Sequence, residues 1–179
     1  MRITEAGFSL LEMLIALAVG AILMVSVGRF LPLLLEQNLR LQQRVQLQQE
    51  LQQLSSTLQK ALQRAGYCHG QCTGPALTLP AGVSCVLLRW DENSNGRWEG
   101  VGSSDSDFYG YRLRSGQLEM QRAVDNCNGN GWERLTAPAF LTIEQFRLVR
   151  QGTRLILHLT GRAGEQSQHV EHWIEGMNL

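Results

Sequence analysis

The stretch GFSLLEMLIAL, Gly7–Leu17, opens a long apolar segment that contains a single charged residue, Glu12. Between Phe8 and Gly28 no other residue is charged, and a helix of these residues would be about 31 Å long, enough to cross the core of a bilayer. A charge near the centre of a membrane helix costs roughly 2.5–3.5 kcal/mol, so a carboxylate there is a candidate functional group. We therefore predict a membrane helix over residues 8–28 in which Glu12 has a role.

A secretory signal peptide, removed after export, is the alternative for this segment. Its basic region would consist of Arg2 alone, and Glu5 offsets that charge. The apolar pattern also continues past the small residues at Ala16 and Ala18, where cleavage would occur. A retained membrane helix is therefore the favoured interpretation.

Composition divides the remainder of the chain. The 179 residues carry 16 basic and 16 acidic side chains, and this balance is unlike the basic excess of nucleic-acid-binding proteins. Apolar residues are concentrated before residue 36, glutamine and leucine dominate residues 37–63, and glycine and all four cysteines follow. We predict a leader (residues 1–7), an anchor (residues 8–28), a helical stalk (residues 29–65) and a β-rich head (residues 66–179).

The stalk has the spacing of one helical face, with apolar residues at steps of three and four: Leu47, Leu51, Leu54, Leu58, Leu62 and Ala65. Gly66 is a suitable terminator, and Pro32 is expected to kink or loosen the helix because it lacks a backbone donor. A coiled coil is one interpretation of the leucine stripe. The stripe is short and lacks alternating charges at its flanks, so packing against the head is favoured.

The head contains runs rich in β-branched and apolar residues, such as VSCVLLRW (83–90) and RLILHL (154–159). Two glycine-containing pairs, Ser115-Gly116 and Gln151-Gly152, separate strand-like runs and predict hairpins. A last strand is expected within residues 168–179. A sheet with one apolar face needs a cover, and the stalk can supply it. The predicted fold class is α+β, with a long helix on an antiparallel sheet.

These residues resemble a known superfamily. The N-terminal GFSLLEMLIALAVGAIL is similar to the start of type IV pilins and type II secretion pseudopilins, in which a glycine is followed by phenylalanine and then by an acid within an apolar helix. The head, with QRAGYCHGQCTG and RWDENSNGRWE, is similar to that of prepilin peptidase-dependent minor pilins related to the J-class pseudopilins. The resemblance implies a pilin-like fold.

The resemblance also implies roles and partners. A prepilin peptidase would cut after Gly7, Phe8 would become an N-methylated terminus, and Glu12 would help to recruit the subunit into a filament. The head would lie in the periplasm, on a single-pass anchor in the inner membrane. Partners would be other minor pilins, the major pilin and the inner-membrane assembly platform. Subunits at the very tip of a pilus tend to lack the acid, so Glu12 implies a place just behind the tip.

Elementary electrostatics gives Glu12 a partner. An α-amine is largely cationic at neutral pH, and residues four apart share one side of a helix. The carboxylate of Glu12 is therefore expected to neutralise the amine of Phe8, in its own chain or in a neighbour staggered along a filament. In an apolar setting the paired charges are favoured over unpaired ones, which makes the acid a device for setting register.

The four cysteines all lie in the head, and an even number in an exported domain predicts disulfides. Three pairings are possible. We favour Cys68 with Cys72 as a local clamp and Cys85 with Cys127 as a long one, which would contribute about 4 kcal/mol in the chain-entropy model. A zinc site at Cys68, His69 and Cys72 is the alternative, although its spacing is atypical.

The segment DENSNGRWEG predicts either a calcium loop or a self-capped turn. Oxygen-bearing side chains alternate as in the start of an EF-hand loop, with candidate ligands at Asp91, Asn93, Asn95 and Glu99. Gly102 occupies the place of the usual bidentate glutamate, and Asp105 or Asp107 could supply that oxygen. In the alternative, the Asn and Asp side chains cap their own backbone.

Other patterns indicate no catalytic site. His169 and His172 are three apart in a predicted strand and should face opposite sides. The chain shows no serine, cysteine and histidine arrangement with a nucleophile's context, so we predict no enzyme, and calcium is the favoured candidate among cofactors. The predicted function is that of a minor pilin that helps to initiate pilus assembly. The alternatives are a J-class pseudopilin of type II secretion and a membrane-anchored periplasmic binding module, which would stay uncleaved at Gly7.

Overall fold

The structure, a computed structural model, describes residues 9–82, 84–137, 139–176 and 178–179. The chain divides into two compact units, residues 1–42 and 43–179. The predicted α+β class is confirmed, since one long helix precedes eight strands among the described residues. The bounds of leader, anchor, stalk and head stay predictions.

Helix α1 runs from Leu10 to Arg64 and contains Pro32. The expected disruption does not interrupt the helix, because a proline removes only one of the many backbone hydrogen bonds that hold so long an element. The helix ends where predicted: Gly66 has a φ of +86° and its N–H donates to the carbonyl of Arg89 over 2.8 Å. Glycine tolerates this left-handed conformation without a Cβ penalty.

The first unit exposes large apolar side chains from Leu10 to Leu41. Among the described residues, α1 alone is long and apolar enough to cross a membrane. Such exposure is costly in water, and it is normal for a helix that is surrounded by lipid.

The second unit begins within α1, and its core contains the predicted helical face. All six residues of that face are buried in one cluster with side chains of the strands: Leu47, Leu51, Leu54, Leu58, Leu62 and Ala65. The predicted packing of the stripe against the head is confirmed. The face is thus covered within the chain, which leaves the coiled-coil interpretation without support.

Five strands form one antiparallel sheet in the order β1 to β5. They are β1 (Leu77–Thr78), β2 (Cys85–Arg89), β3 (Phe108–Arg114), β4 (Gln117–Arg122) and β5 (Glu133–Arg134). Ser115 and Gly116 form the predicted turn between β3 and β4, and both have positive φ, at 51° and 75°. Two positive φ values in a two-residue turn match the twist of the strands that it joins.

Three longer strands form a second antiparallel sheet: β6 (Thr142–Gln151), β7 (Arg154–Ala163) and β8 (Gln166–Glu175). Gln151 pairs with Arg154, so the turn consists of Gly152 and Thr153 and the predicted Gln151-Gly152 pair was wrong by one residue. The positive φ of Gly152, +62°, explains this register, since a turn that needs positive φ first places glycine first. The head therefore contains two sheets where the sequence predicted one.

The helix approaches β7 closely at Gly161. A Cβ atom there would lie 2.8 Å from Cδ2 of Leu51 and 2.9 Å from Cδ1 of Leu141. Such distances are too short for carbon atoms, so a side chain at this position would force the methyl groups of Leu51 and Leu141 to shift. The absence of a side chain at Gly161 thus leaves the space that these two leucines fill.

Candidate functional site

Glu12 lies in the first turn of α1 and caps it. Its Oε2 accepts a hydrogen bond from the N–H of Ser9 over 3.0 Å, and Oγ of Ser9 accepts one from the N–H of Leu11 over 3.2 Å. The contact of Glu12 is that of a capping box, and the two hydrogen bonds satisfy donors that a helix start otherwise leaves unpaired. The Ser-x-x-Glu spacing predicts such a cap, whereas the role predicted for Glu12 rested on its charge alone.

The processing residues Gly7 and Phe8 lie outside the described residues. Cleavage after Gly7, methylation of Phe8 and the pairing of its amine with Glu12 therefore stay predictions. The capping bond uses one of the two carboxylate oxygens, since Ser9 donates to Oε2. A carboxylate can accept several hydrogen bonds, so the cap is compatible with a second contact through Oε1.

The loop between β2 and β3 is organised by Asp91, whose side chain is buried. Its Oδ2 accepts hydrogen bonds from the N–H groups of His69 and Gly96, over 3.0 and 2.9 Å, and its Oδ1 accepts one from Asn95 over 3.0 Å. Burial raises the pKa of Asp91, but these backbone donors outweigh burial and hold the pKa below its ordinary value. Asp91 thus joins its own loop to the segment around His69.

Asp107 and Glu99 form a pair of carboxyl groups in the same loop. Oδ1 and Oδ2 of Asp107 accept hydrogen bonds from the N–H groups of Glu92 and Glu99, each over 3.0 Å. Burial, and then the hydrogen bond with Glu99, raise the pKa of Asp107. The hydrogen bonds from Asp107 and then Asn95 lower the pKa of Glu99 to about 2. Of the two carboxyl groups, Glu99 therefore loses its proton first as the pH rises.

The candidate calcium ligands are engaged in hydrogen bonds with the chain itself. Oδ1 of Asn93 accepts the N–H of Asn95, and Oδ1 of Asn95 accepts the N–H of Arg97, each over 3.1 Å. The amide of Asn95 also donates to Oε1 of Glu99 over 2.6 Å. This pattern supports the alternative of a turn capped by its own side chains. Calcium binding by Asp91, Asn93, Asn95 and Glu99 stays a prediction.

The cysteines form two disulfides, Cys68–Cys72 and Cys85–Cys127, separated by 4 and 42 residues. These are the pairs that the sequence analysis favoured. In a disulfide the sulfur atoms are not thiolates, so the alternative zinc site at Cys68 and Cys72 requires reduction first.

A buried arginine that was not predicted from the sequence supports the longer disulfide. Nε of Arg112 lies 2.8 Å from a carboxylate oxygen of Glu119, and its NH1 group donates to the carbonyl of Cys127 over 2.8 Å. The guanidinium also lies 4.2 Å from the ring centre of Trp132. Arg112 thus fixes the loop that carries Cys127, and no spacing in the sequence indicates this contact.

Comparisons with known proteins identify the family of the chain. The family described as Prepilin peptidase-dependent protein B matches residues 40–176, and the prokaryotic N-terminal methylation motif matches residues 2–28. The protein of the same description from Escherichia coli (strain K12) is 38% identical over 187 aligned positions, which cover all of both chains. No solved structure matches the chain. The family is one of pilin-like structural proteins and not of enzymes. The chain, a minor pilin-like protein with an N-terminal methylation motif, belongs to the Prepilin peptidase-dependent protein B family.

Proposed function

We propose that the protein takes part in initiating type IV pilus assembly at the bacterial inner membrane, after cleavage by a prepilin peptidase. The observation that carries this proposal is the methylation motif at residues 2–28, which overlaps the exposed apolar part of α1. Such a segment suits a membrane before assembly and the shared helical core of a filament afterwards. The partners would be other minor pilins, the major pilin and the assembly platform, with the head in the periplasm and the subunit near the pilus tip.

In this proposal Glu12 has two separable properties. One carboxylate oxygen of Glu12 caps the helix by accepting a hydrogen bond from the N–H of Ser9. Its negative charge neutralises the amine of Phe8 or of a neighbouring subunit. A capping box accepts glutamine as well as glutamate at this position. Glu12→Gln therefore keeps the cap and removes the charge, whereas Glu12→Leu removes both.

The experiment compares recovery of partner pilins with the membrane-extracted protein in three variants. Glu12→Gln and Glu12→Leu should both reach the membrane and be cleaved, and both should recover far less partner than the wild type. Ser9→Ala is the matched control, because it removes the hydroxyl cap and leaves the charge, and its recovery should be normal. Wild-type recovery and pilus assembly with Glu12→Gln would show that the charge has no role in assembly.

Processing is tested separately by mass spectrometry of the N-terminal peptide. In cells that contain the peptidase, the mature chain is expected to begin at Phe8 and to carry one methyl group on its amine. A chain that still begins at Met1, or one that begins beyond Ala18, would contradict the proposal. The first outcome would favour an uncleaved binding module, and the second a signal peptide.

The machine that the protein serves is tested in a single deletion strain. Loss of surface pili with normal enzyme secretion is the outcome expected of a pilus-initiating subunit. Loss of secretion with normal piliation would overturn the proposal in favour of a J-class pseudopilin. Scoring DNA uptake in the same strain shows whether the affected pili are those used for uptake.

A further inference from the structure

The sheet β6–β8 presents imidazole and carboxylate groups on the face turned away from α1. Side chains alternate between the two faces of a strand, and Leu157 of β7 is buried in the core with the helix. His158, the next residue, therefore points to the opposite face. On β8, His169 and Glu171 share that outer face, and His172 lies on the inner one.

The strand register brings these outer groups together. His158 is directly opposite Glu171, and His169 is directly opposite Thr160, so the two histidines are diagonal neighbours on adjacent strands. Nδ1 of His158 lies 3.4 Å from Oε2 of Glu171, and the centres of the two imidazole rings are 5.9 Å apart. His169 is therefore close to His158 on the neighbouring strand, and not to His172 on its own strand.

Two further contacts orient the cluster. Nε1 of Trp173 donates to Oε1 of Glu171 over 2.9 Å, which leaves Oε2 turned to His158. Oγ1 of Thr160 lies 3.0 Å from Nδ1 of His169, which leaves Nε2 of that ring available. Contacts of this kind, from outside the coordination shell, fix ligand orientation in metal sites.

We propose that His158, His169 and Glu171 form a surface site for a divalent transition-metal ion of the zinc type. One nitrogen of each ring and one carboxylate oxygen lie within 4.8 Å of one another. Ligands around a tetrahedral zinc ion are about 3.4 Å apart, so the separations between the three ligand atoms have to shorten by at most about 1.4 Å to close the site. His158 is half-buried and the other two side chains are exposed, so displacements of this size meet little steric resistance.

The donor set decides the class of ion. Two imidazoles and one carboxylate suit zinc and its neighbours, whereas calcium and magnesium prefer oxygen alone. Three protein ligands leave a coordination position that faces solvent, open to water or to a group from another molecule. Arg147 lies directly opposite His158 on β6, and its charge weakens cation binding at this place. Arg147→Gln should therefore bind the ion more tightly.

The test is a calorimetric titration of zinc chloride into the full chain in detergent micelles, after removal of metals and of any histidine tag. We expect saturable binding of one ion per chain and a rise in melting temperature with zinc, by linkage to the folded state. His158→Gln and His169→Gln should each weaken binding at least about 100-fold, since even outer-shell changes cost about 10–100-fold. Glu171→Gln should weaken it as well.

The other two histidines supply matched controls, because the chain contains four. His172→Gln changes the inner face of the same strand, and His69→Gln changes a different part of the head, so both should bind zinc as the wild type does. The melting temperatures of all variants without metal verify that each is folded. Absence of saturable binding, or binding that survives His158→Gln and His169→Gln, would overturn the proposal. Loss of binding in His69→Gln alone would overturn it too, by placing the ion elsewhere.

Discussion

Replacing Leu51 by alanine tests whether the second half of α1 is held by the head. Leu51 is fully buried, and its Cδ2 occupies the space next to Gly161. The substitution removes three carbon atoms, worth about 0.8 kcal/mol each in transfer from water. The cavity left behind adds to this cost, because the close contacts around Gly161 cannot all collapse, and we expect about 3 kcal/mol in total.

The assay is urea and thermal unfolding of the full chain in micelles, followed by the fluorescence of its four tryptophans. A loss of about 3 kcal/mol corresponds to a melting temperature lower by about 10 °C for a unit of this size. Val45→Ala is the control, since Val45 lies in the same unit and is 46% exposed. Its effect should stay within about 0.5 kcal/mol.

Two results would refute this reasoning. If Leu51→Ala and Val45→Ala had the same effect, Leu51 would not be part of the core. If the loss in Leu51→Ala depended on protein concentration, the leucine face would pair with a second chain, as the coiled-coil interpretation requires.

Three further expectations concern the head. Arg112→Met should cost about 3 kcal/mol or more in unfolding experiments, because it leaves the carboxylate of Glu119, which is only 13% exposed, unpaired. Arg40→Met at an exposed pair should cost under about 0.5 kcal/mol. The pKa of Glu99 falls from an ordinary 4.5 to about 2 on folding, so its contribution is present above pH 4.5 and is lost as the pH falls towards 2. Glu99→Gln should flatten that part of an acid-unfolding curve, and an unchanged curve would contradict it. Under oxidising conditions Cys85→Ser should destabilise the head by about 2 kcal/mol more than Cys72→Ser, since its loop spans 42 residues instead of 4. Equal melting temperatures would count against the chain-entropy argument.

The regular parts of the fold could be predicted because each depends on neighbours in the sequence. The leucine face from Leu47 to Ala65 follows from helical periodicity, and the end of the helix follows from Gly66. The turn at Ser115-Gly116 follows from residues that tolerate positive φ. The turn between β6 and β7 is one residue later than predicted. Its glycine was recognised in the sequence, but whether that glycine is the first or the second residue of the turn depends on which position needs a positive φ.

Contacts between distant segments could not be predicted in the same way. Asp91 was considered as a calcium ligand, yet the donors that hold it include the N–H of His69, which is 22 residues away. The diagonal pair of His158 and His169 depends on the register of β7 and β8, which hydrophobic pattern alone does not fix to one residue. The cap formed by Ser9 and Glu12 is different, because its spacing is local and could have been recognised.

The packing at Gly161 also decides which face of the second sheet is accessible. Leu51 and Leu141 fill the space next to Gly161, so the inner face of β7 is occupied by the core of the second unit. The face that carries His158 and Trp173 is the opposite one, and it is turned away from the part of α1 that belongs to the second unit. A ligand or partner bound there would leave the flanks of the helix free for lateral contacts, so both kinds of contact could be made by one subunit at the same time.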